Sequence, residues 1–252
     1  MLEEPKLGSE QIEAYHRDGF VVVRQAFGGD AMVAVEEWAS ELAARPEESG
    51  RHWVYHERSQ LDPDRELIAR VENICPFHEG FAALARALEP SVGQLFGEPA
   101  VLFKEKINFK MPGGDGFKPH QDSQAGWEAY ASDFITVALC IDRATIENGC
   151  LKLAAGHQKR GLYRAFEPLS DEEMADMTFE PWPMAPGDLV YLDSYAPHGS
   201  EPNHTDQTRR MYFATYNKAS EGDHLKRYYA DKHRNYPPDI DRDPSRRYVF
   251  RV

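Results

Sequence analysis

FKEKINFKMPGGDGFKPHQD, residues 103–122, is the stretch that decides the fold. It opens as a strand. Phe103, Glu105, Ile107 and Phe109 fall on one side, and Lys104, Lys106, Asn108 and Lys110 on the other, the alternation of an extended chain. A turn with Gly113, Gly114 and Gly116 follows, and Pro119 keeps the next segment extended. His120, Gln121 and Asp122 close it. Residues i and i+2 of an extended chain point the same way, so the His120 imidazole and the Asp122 carboxylate converge and suit one metal ion. A third ligand has to come from elsewhere, and His198 is the candidate.

His-x-Asp alone says little, because the chain carries it three times: His16 to Asp18, His120 to Asp122 and His204 to Asp206. The first lies in a helical pattern, where i and i+2 do not face each other. The last lies in a polar turn. The middle copy alone follows a strand and a Gly-rich turn. Two His and one carboxylate on one face of a metal, with open positions opposite, is the ligand set of non-haem Fe(II) oxygenases.

A chain of 252 residues with 41% hydrophobic and 12% aromatic content is globular and fits one domain, residues 1–252. A net charge of −13 argues against nucleic acid or an anionic membrane as partner. No apolar run has the length of a membrane helix, and residues 1–6 show no signal-peptide pattern. Three scattered cysteines, Cys75, Cys140 and Cys150, read as thiols of a reducing cytoplasm.

Residues 1–95 read as a mostly helical flank. Ser9 is the expected cap of a first helix, Phe20 to Val23 a buried strand, and residues 28–44 a second helix with Met32, Val33, Val35, Trp38 and Leu42 on or near its inner face. Residues 45–64 read as a polar loop, either a lid or a surface excursion. Helical signals run from Arg65 to Phe96, broken at Pro76 and Pro90. Residues 95–220 change character. Short β-rich runs at 101–110, 134–141, 150–153, 189–192 and 211–216 are separated by Gly, Pro and Asn turns, which argues a double-sheet jelly roll. The tail, residues 221–252, is aromatic enough to pack on the body.

His198 follows the run from Pro186 to Asp193, a turn leading into a strand. Pro197 and Gly199 fix its local path. Beyond it Arg209 and Arg210 enter a buried strand. An arginine there needs an anionic partner, a carboxylate above all, and only one of two successive residues looks inward.

These pieces together resemble the phytanoyl-CoA dioxygenase family of Fe(II)/2-oxoglutarate oxygenases. The matching residues are Lys106 to Asn108, His120 to Asp122, Glu147 to Leu151 leading to Gly156 and His157, Pro186 to Asp188, His198 with Ser200, and Arg209, in the family's order over about half the chain. The resemblance implies a double-stranded β-helix, mainly β with flanking helices. It implies Fe(II) held by His120, Asp122 and His198, and O2 and 2-oxoglutarate as cosubstrates. Arg209 and Ser200 then hold the distal carboxylate of 2-oxoglutarate, and Arg210 faces away. Related halogenases replace the ligand carboxylate with a small residue; Asp122 is present, so hydroxylation or another oxidation is implied.

The substrate is a small molecule, and the number of subunits is open. Lys104, Lys106 and Asn108 share a strand face that binds an anion or 2-oxoglutarate, or is a solvated polar face. Gln121 and Gln124 flank the metal motif as candidate donors to substrate. Trp127 and Tyr130 wall a pocket or fill core. The runs at 102–114 and 234–238 are most similar to bacterial members of the family that hydroxylate 2-aminoethylphosphonate, so an aminoalkylphosphonate is the expected substrate. No dense basic patch suits a coenzyme A thioester. Competing readings are a 2-oxoglutarate-dependent hydroxylase of a free or N-substituted amino acid, a non-enzymatic jelly-roll binder of metal or ligand, and a metal-dependent hydrolase using the same triad.

Overall fold

The computed structural model of the chain describes residues 2–248. Its core is two antiparallel sheets. The large sheet has the order β1 (Phe20–Val23), β9 (Leu189–Asp193), β6 (Phe134–Cys140), β11 (Arg209–Lys218), β4 (Ala100–Lys110), β3 (Glu66–Glu72), β2 (Trp53–Arg58). The small sheet has the order β5 (Phe117–His120), β10 (His198–Ser200), β7 (Leu151–Leu153), β8 (Glu180–Trp182). This is the jelly roll that the short, turn-separated strands imply.

Side-chain alternation sorts the layers. On β11, Tyr212, Ala214 and Tyr216 face outward into a cluster with Val35, Leu42, Phe81, Leu84 and Leu88 of the helices α2 (Gly29–Ala44) and α3 (Glu79–Phe96). Two tyrosines bolt the sheet to α3, Tyr216 Oη donating to Ala85 O at 2.7 Å and Tyr191 Oη meeting Ser91 Oγ at 2.8 Å. Met211 faces inward with Cys140, Leu151, Leu153, Val190 and Leu192, which joins the two sheets. β6 (FITVALC) is buried at every position because it is covered on both faces, which explains its unbroken apolar run.

Four expectations change. Ser9 is the first helical residue of α1 (Ser9–Asp18), and Gly8 is the cap. Residues 66–72 form a strand, not a helix. ELIARVE is rich in residues that favour helices, but pairing with both β2 and β4 fixes it as sheet. The 45–64 segment is no free lid either: β2 lies inside it, and Trp53, Val54 and Tyr55 are buried. The flank from 1 to 95 therefore supplies three strands of the large sheet, β1, β2 and β3. Finally, Pro90 does not break α3. The helix buries Phe81, Leu84, Leu88, Val92 and Leu95, and this packing outweighs one missing backbone hydrogen bond.

The aromatic tail packs as α4 (Leu225–Asn235), with Tyr228 and Tyr229 buried among Trp53, Tyr55, Phe103, Trp127 and Phe134 at one end of the sandwich. Tyr229 Oη donates to the buried Glu105 carboxylate, which also accepts from the Cys75 backbone N–H at 2.7 Å. No helix of the described residues is long and apolar enough to cross a membrane.

Candidate active site

β5 and β10 are neighbours in the small sheet with His120 opposite His198, so strand pairing brings the two imidazoles together. Their ring centroids are 4.3 Å apart. Asp122 begins a short turn after β5, and its Oδ1 lies 3.9 Å from His198 Nε2. One ligand atom from each of the three lies within 4.8 Å of the others, the only such His/Cys/Asp/Glu group among the described residues. The other two His-x-Asp copies form no such group.

Neighbouring groups orient each ligand. The Nδ1 of His120 bonds Lys118 O at 2.8 Å, and that of His198 bonds Ala196 O at 3.0 Å. A backbone carbonyl is an acceptor only, so Nδ1 carries the proton and Nε2 keeps its lone pair for a metal. Burial, with His198 beside it, pulls the His120 pKa down to about 3, so the ring is neutral. Burial opposes ionisation of Asp122, but His198 and Lys104 outweigh it and lower its pKa. Asp122 Oδ2 accepts from Thr136 Oγ1 at 2.9 Å, and Thr136 bonds Thr215 at 2.9 Å. Two imidazoles and a carboxylate so oriented fit a divalent metal with open positions.

A cavity of about 870 Å3 opens beside His120 and Asp122. Its floor is the cationic face of β4. Residues opposed across β4 and β11 are Lys110 with Arg209, Asn108 with Met211, Lys106 with Phe213 and Lys104 with Thr215. All therefore share the inward face, and Lys104, Lys106, Asn108 and Lys110 line the cavity. The Lys104 ammonium sits 4.5 Å from the Trp127 ring centre and the Lys106 ammonium 5.4 Å from that of Phe213. Among the described residues neither lysine has an ion-pair partner. Burial and the nearby Lys104 and Arg70 push the Lys106 pKa down to about 7.

The parity of the paired arginines is resolved. Arg209 is buried inside the sandwich; Arg210 faces out and holds Asp142 at 2.7 Å through Nε and 2.8 Å through Nη2. Arg209 Nη2 donates to Gly149 O at 2.6 Å, its Nε has no partner, and it makes no ion pair among the described residues. Burial lowers its pKa to about 10, still charged at neutral pH. Lys110 Nζ donates to Ser200 Oγ at 2.7 Å, and its pKa falls to about 7 through burial and the charge of Arg209. Two buried cations and a hydroxyl with no carboxylate among them suit an anionic ligand. Lys110 lines the cavity; Arg209 and Ser200 stand behind it.

Gln121 and Gln124 are corrected. Gln121 Nε2 donates to Gly161 O at 2.8 Å and Tyr195 O at 2.7 Å, and its Oε1 accepts from Tyr163 N at 2.9 Å. Gln124 accepts from Gln121 N and donates to Glu167 O, both at 2.8 Å. Both are fully buried, and neither lines the cavity. They anchor the 161–167 loop instead. Trp127 and Tyr130 both line the cavity, Trp127 with its ring buried.

Sequence reasoning missed one cluster entirely. Glu72 is buried between Arg70, Nε to Oε1 at 2.9 Å, and Lys232 of α4. Burial opposes its ionisation, but Lys232 and Arg70 overcome it and hold the carboxyl down at about 2. Tyr55 stacks on Tyr236 at 5.5 Å, with the Arg70 guanidinium 4.4 Å over Tyr55. The ELIARVE alternation puts Arg70 and Glu72 on one face, but nothing local points to α4.

A jelly roll whose small sheet presents two histidines and a carboxylate beside a cation-floored cavity defines a non-haem iron, 2-oxoglutarate-dependent dioxygenase. The chain belongs to the phytanoyl-CoA dioxygenase (PhyH) family, whose model matches residues 15–211. It is 38% identical over 234 residues to a methylphosphonate hydroxylase of Gimesia maris, covering 91% of this chain and 88% of that protein. It is 36% identical over 244 residues to a 2-aminoethylphosphonate dioxygenase of an uncultured bacterium, covering 95% of this chain and 92% of that protein. Among solved structures, EctD from S. alaskensis with 2-oxoglutarate and 5-hydroxyectoine superposes with a TM-score of 0.74 at 21% identity, over 86% of this chain and 78% of that one.

Proposed function

We propose that this dioxygenase hydroxylates the carbon next to phosphorus in a small organophosphonate, an aminoalkylphosphonate such as 2-aminoethylphosphonate. The observation that carries the reading is the pair of lysines, buried Lys104 and half-buried Lys106, facing the cavity without an ion-pair partner among the described residues. A phosphonate head supplies that missing charge. The two relatives above, which act on phosphonates by name, support the class.

His120, Asp122 and His198 are proposed to hold Fe(II). Arg209 and Ser200, with Lys110, receive the distal carboxylate of 2-oxoglutarate, and Lys106 and Asn108 border the space between that anchor and the metal. Bound Fe(II), O2 and 2-oxoglutarate supply the oxidant, with release of succinate and CO2. The chain's own work is orientation. Lys104, beside Trp127, and Lys106 fix the head group, so that one C–H bond faces the metal. The Arg70–Glu72–Lys232 cluster and the Tyr55–Tyr236 stack wall the cavity against water. The free thiols of Cys75, Cys140 and Cys150 support a reducing, cytoplasmic setting.

The test is substrate-dependent succinate release with 2-aminoethylphosphonate, methylphosphonate, β-alanine and a phytanoyl-type thioester. Stronger turnover with the phosphonates than with β-alanine supports the head-group reading. Turnover of β-alanine or the thioester alone refutes it. His120→Ala, Asp122→Ala and His198→Ala are each expected to abolish succinate formation in a folded protein; an active, iron-replete His198→Ala enzyme removes His198 from the metal.

A further inference from the structure

Phe166 lines the cavity with its backbone at φ 63°. This left-handed conformation is strained for a bulky side chain, and such strain persists only where the surroundings impose it. Here they do. The Phe166 N–H donates to Gln124 O at 2.8 Å, and the Gln124 side chain holds Glu167 O at 2.8 Å, so the residue is gripped on both sides from the turn that follows Asp122. The ring lies against Gly126, where an added Cβ would come within 3.0 Å of the Phe166 Cε1. Next to Gly126 is Trp127, which carries the Lys104 ammonium on its ring. Yet the held residue is 44% exposed, so core packing does not explain the strain.

We propose that Phe166 is a specificity-determining wall that limits the length of the chain carried on the phosphonate. The inference rests on the organophosphonate reading above. With the head group at Lys104 and Lys106, the rest of the substrate runs away from the inner cations, because the neighbouring Glu72 is already claimed by Arg70 and Lys232. It meets the rim at Gly126 and Phe166. An aromatic ring contacts a short alkyl chain and suits an ammonium at its end, and it blocks a longer chain.

The experiment compares kcat/KM for 2-aminoethylphosphonate and 4-aminobutylphosphonate, by succinate release, in the wild type and in Phe166→Gly, Phe166→Ala and Phe166→Trp. Removing the ring is expected to raise the butyl-to-ethyl ratio at least tenfold in the Gly and Ala variants, and Trp to lower it. The Gly variant is expected to melt above the Ala variant, because glycine alone adopts this backbone without strain. A merely structural residue would change both substrates alike. A ratio within threefold of wild type in both truncated variants, with 2-aminoethylphosphonate still turned over, overturns the wall and leaves the phosphonate class standing. Failure of every phosphonate to drive succinate release in the wild type overturns the class and the wall with it.

Discussion

Arg209 and Arg210 are neighbours in sequence with opposite surroundings, and their substitution separates ligand binding from stability. Arg209 is a buried cation with one protein hydrogen bond, to Gly149 O, and no ion pair among the described residues. Arg209→Met removes no salt bridge. It removes the group proposed for the distal carboxylate, and a charge-assisted hydrogen bond of this kind contributes about 1.5–3 kcal/mol. The 2-oxoglutarate dissociation constant is expected to rise roughly 10- to 150-fold. The ligand-free protein is expected to melt higher, by about 2 °C or more, since a well-packed apolar side chain in place of an unpaired buried charge is commonly stabilising by at least about 1 kcal/mol. Arg210→Met does the reverse. It breaks the two-pronged contact with Asp142 and the 2.8 Å bond to Ser40 of α2. Loss of such a network costs about 1–3 kcal/mol, hence about 2–12 °C of melting temperature at this chain length, with 2-oxoglutarate affinity intact. The assay is anaerobic titration of the Fe(II) protein with 2-oxoglutarate, beside thermal melts without it. If Arg210→Met weakens the cosubstrate and Arg209→Met does not, the assignment of the two arginines is wrong.

Thr136→Val keeps the shape of its β6 position but removes the hydrogen bond to Asp122; Fe(II) affinity, measured by chelator competition, is expected to fall about 10- to 100-fold. Lys104→Met and Lys106→Met are each expected to raise the phosphonate KM roughly tenfold or more; if one of them raises the 2-oxoglutarate requirement instead, that lysine serves the cosubstrate. Glu72 has a folded pKa of about 2 against an ordinary 4.5, so below the ordinary value the unfolded chain binds a proton that the folded one does not. Its stabilising contribution is complete above that value and drains away as pH falls from about 4.5 toward 2. Glu72→Gln is expected to flatten stability against pH in that window in urea titrations, and an unchanged slope would show that Glu72 is not ionised in the fold.

Much of the site was legible from parity alone. Alternation along β4 placed its lysines on one face, and the i, i+2 rule paired His120 with Asp122. The same rule, applied to the residue between them, sends Gln121 away from the metal; nearness in sequence had suggested otherwise. Lys110 belongs to the same face as Lys104 and Lys106 and was within reach of that argument. β2 and β3 were not. The Glu, Ala and Arg of β3 mimic a helix and the polar segment around β2 mimics a loop, and only the pairing of β3 with β4 and of β2 with β3 makes them sheet. Nor was the Glu72–Lys232 contact, which joins residues 160 positions apart. The strained backbone of Phe166 has no signature in residue type at all.

That separation shapes the order of folding. β1 pairs with β9, Phe20 opposite Leu192, and α4 reaches back to β3. The cavity walls therefore close only when α4, near the end of the chain, has packed on strands laid down far earlier. Loop closure over such spans is slow, and strand edges stay unpaired while it is pending. As the chain emerges during synthesis, the proposed metal ligands, complete at His198, precede the α4 wall. An iron centre assembled before its enclosure would meet dioxygen and water unshielded.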